Sequence, residues 1–91
     1  MNLVFRAHTL RRMIERGISP EEIREALTDG EVIEENAEEP LPGRLVLADV
    51  GGRPLHVVAA EDVDNDQTIV LTVYEPDPAR WEADWKTRRH P

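Results

Sequence analysis

A chain of 91 residues has enough apolar surface for one hydrophobic core and too little for two, so a single domain is expected. Its 33 % charged and 40 % apolar residues include no run near the roughly 18 that a membrane helix needs, and the absence of cysteine excludes a disulfide scaffold and a thiolate metal site. Met1 to His8 lacks the apolar stretch of a signal peptide, so the expected setting is cytoplasmic, with no membrane partner. A net charge of −8 argues against general nucleic-acid binding, but the charge is uneven. Residues 1–18 carry Arg6, Arg11, Arg12 and Arg16 against Glu15. Residues 79–91 carry Arg80, Lys86, Arg88 and Arg89 against Glu82 and Asp84, whereas 19–39 and 57–78 are acidic.

From His8 to Arg16 neither Gly nor Pro interrupts the chain, and Leu10, Met13 and Ile14 recur at helical spacing. Gly17 supplies a left-handed terminator. Ser19-Pro20-Glu21-Glu22 then reads as an N-cap, a proline in the first turn and a capping-box glutamate, opening a second helix that buries Ile23, Ala26 and Leu27 and stops at Gly30. Beyond it the period falls to about two. Strands are predicted at Glu31–Glu35, Arg44–Val50, Pro54–Ala60 and Thr68–Glu75, with Asn36–Gly43 the longest irregular, mobile loop. Gly51-Gly52 is a two-residue hairpin signal. Pro76-Asp77-Pro78 ends the last strand, and Ala79–Arg89 is expected to form a final helix with Trp81 and Trp85 on one face. The expected fold is α+β, with the order α-α-β-β-β-β-α and a four-stranded antiparallel sheet packed with helices. Alternation puts Ile69, Leu71 and Val73 on one face of the last strand and Val70, Thr72 and Tyr74 on the other. The helices take the aliphatic face, leaving His56, Thr72 and Tyr74 to share the opposite one.

No metal-ligand spacing is present. Asp62, Asp64 and Asp66 resemble the start of a calcium loop, but Gln67 and Val73 stand where glycine and a bidentate glutamate are required. No cofactor motif appears. His8, Arg12, Arg16, Arg44, Arg53, His56, Thr72 and Tyr74 are side chains suited to metal-free phosphoryl transfer. Such cleavage of RNA needs a base for the 2′-hydroxyl, an acid for the 5′-oxygen and cations for the phosphorane-like charge. Each also has a plain structural reading as helix start, ion-pair partner or strand former, and Trp81 and Trp85 read as core anchors.

His8, Arg12-Met13, Arg16-Gly17-Ile18-Ser19, Gly30-Glu31-Val32-Ile33-Glu34, Arg53-Pro54-Leu55-His56-Val57-Val58 and Thr72-Val73-Tyr74-Glu75-Pro76 together resemble a family of small bacterial proteins often encoded beside zinc-finger antitoxins of the MqsA type. That family is similar to the superfamily that joins RelE-like and MqsR-like toxins, barnase and colicin nucleases. The resemblance, from about Phe5 to Arg89, implies a RelE/MqsR-like fold and a metal-independent mRNA endoribonuclease of a type II toxin-antitoxin system, without a cofactor. Its partners would be mRNA and a cognate antitoxin, of zinc-finger type in that family. The catalytic set it implies is His8, Arg12, His56, Thr72 and Tyr74, with Arg16 on the RNA phosphate; Arg44 and Arg53 are further phosphate candidates. His56 or His8 would be acid or base. Thr9 occupies a place usually held by alanine, a departure expected to matter little. The alternative is a non-catalytic interaction module of the same fold that binds a protein or, as a homodimer, itself through the sheet face or the Trp81/Trp85 segment.

Overall fold

A computed structural model describes residues 1–36 and 42–90. Local signals account for both helices. Helix α1 (Ala7–Arg16) closes on Gly17 at φ 66°, whose N–H and that of Ile18 return to the carbonyls of Ile14 and Met13. Helix α2 (Pro20–Asp29) opens on the expected capping box: the Ser19 hydroxyl accepts from the Glu22 N–H and the Glu22 carboxylate accepts from the Ser19 N–H. Gly30 ends it at a place where a Cβ would run into the Ala26 carbonyl. Met13, Ile18, Ile23 and Ala26 are thereby aimed at the sheet.

The sheet corrects the expectation of four antiparallel strands in the order α-α-β-β-β-β-α. It has five strands and is mixed, in the order β1-β5-β4-β3-β2, from β1 (Leu3–Phe5), β2 (Glu31–Asn36), β3 (Gly43–Val50), β4 (Arg53–Asp62) and β5 (Gln67–Tyr74). The unforeseen β1 lies parallel to β5, with Val4 opposite Ile69, and the other pairings are antiparallel. Gly51 and Gly52, at φ 61° and 84°, make the tight β3–β4 turn. Of the loop expected over Asn36–Gly43, the end residues Asn36 and Gly43 instead pair with each other across β2 and β3, and 37–41 lie outside the described residues.

The second correction is the final helix, which is absent. Residues 76–90 start one capped turn, with the Asp77 carboxylate accepting from the Ala79 N–H, and then fold back so that Trp81 bridges to Arg88. The physical reason is Asp84. Its carboxylate accepts from the N–H groups of Lys86 and Thr87 and from the Thr87 hydroxyl, offering the backbone a local alternative to the helical ladder, and Trp85 adopts φ 62°.

The two faces of the sheet differ. Val46, Ala48, Val50, Leu55, Val57, Val70 and Val73 meet the helices. A bulge in β5 places Ala59 opposite Val70 and Val58 opposite Thr72, leaving Leu71 unpaired, so strict alternation fails and Val70 joins the helix side. The hydroxyl of Thr9, fully buried on α1, donates to the freed Leu71 carbonyl at 2.8 Å. Residues 76–90 cross one end of the opposite face.

Candidate functional site

His56 stands at the middle of that opposite face because it alternates with Leu55 and Val57, whose side chains are committed to the helix-side core. Tyr74 is its direct cross-strand partner, and Thr72 shares their face two residues back. The structure thus brings His56, Thr72 and Tyr74 together. The imidazole is wholly buried, packed edge-on against Trp81 at 4.5 Å and Tyr74 at 5.2 Å between ring centroids.

Both ring nitrogens are engaged, which fixes the tautomer. Nε2 lies 2.8 Å from the Trp85 carbonyl, which can only accept, so Nε2 carries the proton. Nδ1, 3.2 Å from the Tyr74 hydroxyl, is left with its lone pair and accepts from the phenol. Burial sets the electrostatics. It pulls the His56 pKa below 6.5, against the Trp85 hydrogen bond and Glu34, which favour the imidazolium, and pushes the Tyr74 phenol above 10.0. At neutral pH the pair is a neutral imidazole receiving a hydrogen bond from a neutral phenol.

Tyr74 forms one wall of a cleft of about 320 Å³ whose other walls are Glu75, Asp77, Arg80, Trp81 and Arg88. Arg88 stacks over the Trp81 ring at 4.6 Å and grips Glu34 of β2 through two hydrogen bonds of 2.8 and 2.9 Å. That fork holds the Glu34 carboxyl below its ordinary range. Arg80 is exposed and makes no ion pair among the described residues. Trp81, 3 % exposed, anchors the segment as the sequence led one to expect, although not from a helix. Arg80 and Arg88 were not singled out as site residues; their one sequence signal is the excess of cations in residues 79–91.

The remaining candidates lie elsewhere. His8, Arg12 and Arg16 are exposed on α1, across the sheet from His56, and do not meet it. Arg44 pairs with Glu61 at 2.6 Å. Arg53 is a brace: its two guanidinium nitrogens donate to the carbonyls of Arg16 and Gly17 at 3.1 and 2.9 Å, satisfying the end of α1, with Glu22 and Glu75 at 3.7 and 3.5 Å. Among the described residues no three His, Asp or Glu side chains form a metal-holding group, and no helix is long and apolar enough to cross a membrane.

A family model described as a domain of unknown function (DUF4258) matches residues 5–75. No curated protein and no solved structure matches the chain. The matched stretch contains α1, α2 and strands β2 to β5 with His56, Thr72 and Tyr74, begins at the last residue of β1, and ends one residue past Tyr74, before the segment that supplies Arg80, Trp81, Trp85 and Arg88.

Proposed function

The chain belongs to the DUF4258 family of domains of unknown function, and on the geometry of its Tyr74 cleft we propose that it is a metal-independent endoribonuclease of the toxin type, acting on mRNA in the cytoplasm and restrained by a cognate antitoxin. The observation that supports this reading best is the hydrogen-bonded chain from the Tyr74 hydroxyl through His56 to the Trp85 carbonyl, opening on a cleft that also holds two arginines.

The chemistry follows from the protonation states. A phenol with a raised pKa is no base by itself, but it passes a proton on if its own has somewhere to go. An RNA 2′-hydroxyl set against the Tyr74 oxygen gives it a proton as the phenol proton moves to Nδ1 of His56. The 2′-oxygen bonds to phosphorus, the bond from phosphorus to the 5′-oxygen breaks, and the leaving oxygen takes a proton from solvent water. The products are a 2′,3′-cyclic phosphate and a 5′-hydroxyl, and His56 returns its proton through Tyr74 to the hydroxide left behind. The Trp85 carbonyl stabilises the transient imidazolium, while Arg80, with Arg88 behind it, faces the phosphate charge.

The test is incubation of the purified chain with mixed mRNA in EDTA, with mapping of new 5′ ends. Tyr74→Phe keeps the ring and removes the hydroxyl, so cleavage should fall by about 10²–10⁴-fold, the usual worth of a positioned acid–base group. Cleavage at an unchanged rate by a folded Tyr74→Phe protein would refute the assignment.

A second reading, a non-catalytic interaction module, is favoured by the position of His8, Arg12 and Arg16 across the sheet from His56. In that case Tyr74 and His56 only fasten residues 76–90 to the sheet, and no cleavage accompanies partner binding.

A further inference from the structure

The cations of this acidic molecule are sorted. Arg44, Arg53, Lys86, Arg88 and Arg89 each pair with a carboxylate, and Arg24 donates to the Met1 carbonyl. Apart from the isolated Arg80 at the Tyr74 cleft, Arg6, Arg11, Arg12 and Arg16 have no side-chain partner among the described residues, although the chain carries 19 Asp and Glu. All four lie on or at the cap of α1.

Helical geometry sets them beside an apolar strip. Residues four apart form rows along a helix, and the row of Thr9 and Met13 is buried against the sheet. The other three rows face solvent: Arg6, Leu10 and Ile14; Ala7, Arg11 and Glu15; His8, Arg12 and Arg16. One margin is therefore apolar, with Ile14 80 % exposed and Leu10 38 %, and the opposite margin is basic. Solvated surface helices ordinarily turn polar residues outward on every exposed row. Here the outward surface is amphipathic, which is the pattern a second helix would cover.

We infer that the exposed surface of α1 docks an acidic, amphipathic helix of a partner protein, whose leucine-type residues cover Leu10 and Ile14 while its carboxylates meet Arg11, Arg12 and Arg16. Charge complementarity selects this occupant. A second copy of the chain packed α1 to α1 would oppose like charges. RNA would use the basic row and leave Ile14 and Leu10 without a role. The proposal is independent of the nuclease reading, because α1 and the Tyr74 cleft lie on opposite faces of the sheet.

The experiment uses the full chain and a labelled helical peptide of leucine and glutamate, with leucines at i, i+4 and i+7, in fluorescence anisotropy. Its controls are a scrambled peptide of equal composition and a short single-stranded RNA. The patterned peptide should bind and weaken with salt, and the scrambled one should bind about tenfold less well. Leu10→Ser with Ile14→Ser, and separately Arg11→Glu with Arg12→Glu, should each cost about tenfold, the scale of a modest interface contact. Circular dichroism checks that these surface variants remain folded. No binding of the patterned peptide, equal binding of the scrambled one, or binding of RNA alone would overturn the inference. Tyr74→Phe should leave peptide binding unchanged, so failure here and failure of the nuclease assignment are told apart.

Discussion

Substitution of His56 gives the sharpest test of the buried face, because its consequence is a pH dependence with a defined sign. Burial lowers the folded-state pKa of His56 below its ordinary 6.5, so the unfolded chain takes up the proton first as pH falls. Stability from the neutral imidazole is complete above pH 6.5 and is lost as pH drops from 6.5 toward the folded pKa. The groups facing the ring are Tyr74, Glu34 and Arg88; Glu34 favours the imidazolium and Arg88 opposes it, but desolvation dominates. If the folded ring stays neutral throughout, the loss between pH 7.5 and 5.5 is RT ln 11 less a few hundredths, about 1.4 kcal/mol. For a domain of this size that is about 6–11 °C in unfolding midpoint. The assay is denaturant unfolding followed by tryptophan fluorescence at half-unit pH steps. The native protein should show the slope, His56→Gln should lose it, and the combined His8→Gln, His90→Gln variant, altered only at exposed positions, should keep it. Glu34 acts in a separate window, its carboxylate contribution being present above 4.5 and lost below, so it does not mimic the effect. A flat native profile from 7.5 to 5.5, or a slope that survives in His56→Gln, would show that the imidazole is not held neutral by burial.

Thr9→Val should cost about 1–2 kcal/mol in chemical denaturation despite keeping the shape, because the Leu71 carbonyl then loses the hydroxyl that satisfies the bulge; stability equal to the native protein's would mean that water takes the hydroxyl's place. Trp81→Ala should cost about 3–5 kcal/mol for the buried indole, whereas Arg88→Ala, whose ion pair with Glu34 is more than half exposed on the arginine side, should cost under about 1 kcal/mol. The reverse order in thermal melts would locate the anchor of residues 76–90 in the ion pair. RNA reaching the cleft through Arg80, with Arg88 held on Glu34, should bind with a log–log salt slope of about −0.7, for one phosphate contact; a slope beyond about −3 in a filter-binding titration would require the α1 arginines as well.

The helices and the hairpin were legible because their signals are local. Ser19 and Glu22 cap each other across three residues, Gly17 needs only its own φ, and Gly51-Gly52 needs only a turn. What stayed hidden depends on distant partners. Leu3–Phe5 is too short to show a period, and it becomes a strand only through parallel pairing with β5, more than 60 residues on. Ile69-Val70-Leu71 is apolar at every position, so no alternation marks where the bulge shifts the frame. The departure at Thr9, expected to be neutral, is the residue that satisfies that bulge. Ala79–Arg89 has a helix-forming composition, but Asp84 binds the backbone locally and Trp81 is claimed by His56 and the sheet. For the site, period-two alternation sufficed to put His56, Thr72 and Tyr74 on one face. The same alternation, by giving the aliphatic face to the helices, removes His8 and Arg12 from that face; for the catalytic set implied by resemblance to assemble, α1 would have to reach around the sheet, and it does not.

Net charge was the weakest guide because ion pairing, not composition, decides which charges a partner meets. At the C-terminal end Lys86 and Arg88 reach across to Glu31 and Glu34 of the edge strand β2, so the excess of cations in residues 79–91 is largely spent in holding that segment on the sheet. Exposed pairs of this kind add little stability, but they cancel the local field and leave Arg80 as the outward-facing cation at the Tyr74 cleft. At the N-terminal end no such cancellation occurs among the described residues, although the acidic helix α2 follows α1 at once. Helix α2 commits Glu22 to its own cap and to Arg53, and its other carboxylates make no ion pair with α1. The chain thus keeps a cationic helix beside an anionic one, and the densest group of cations without a carboxylate partner among the described residues lies along α1. Long-range attraction and the acid–base pair therefore sit on opposite faces, and a ligand drawn to α1 is not by that route delivered to Tyr74. That separation is why the outward surface of α1 calls for an occupant of its own.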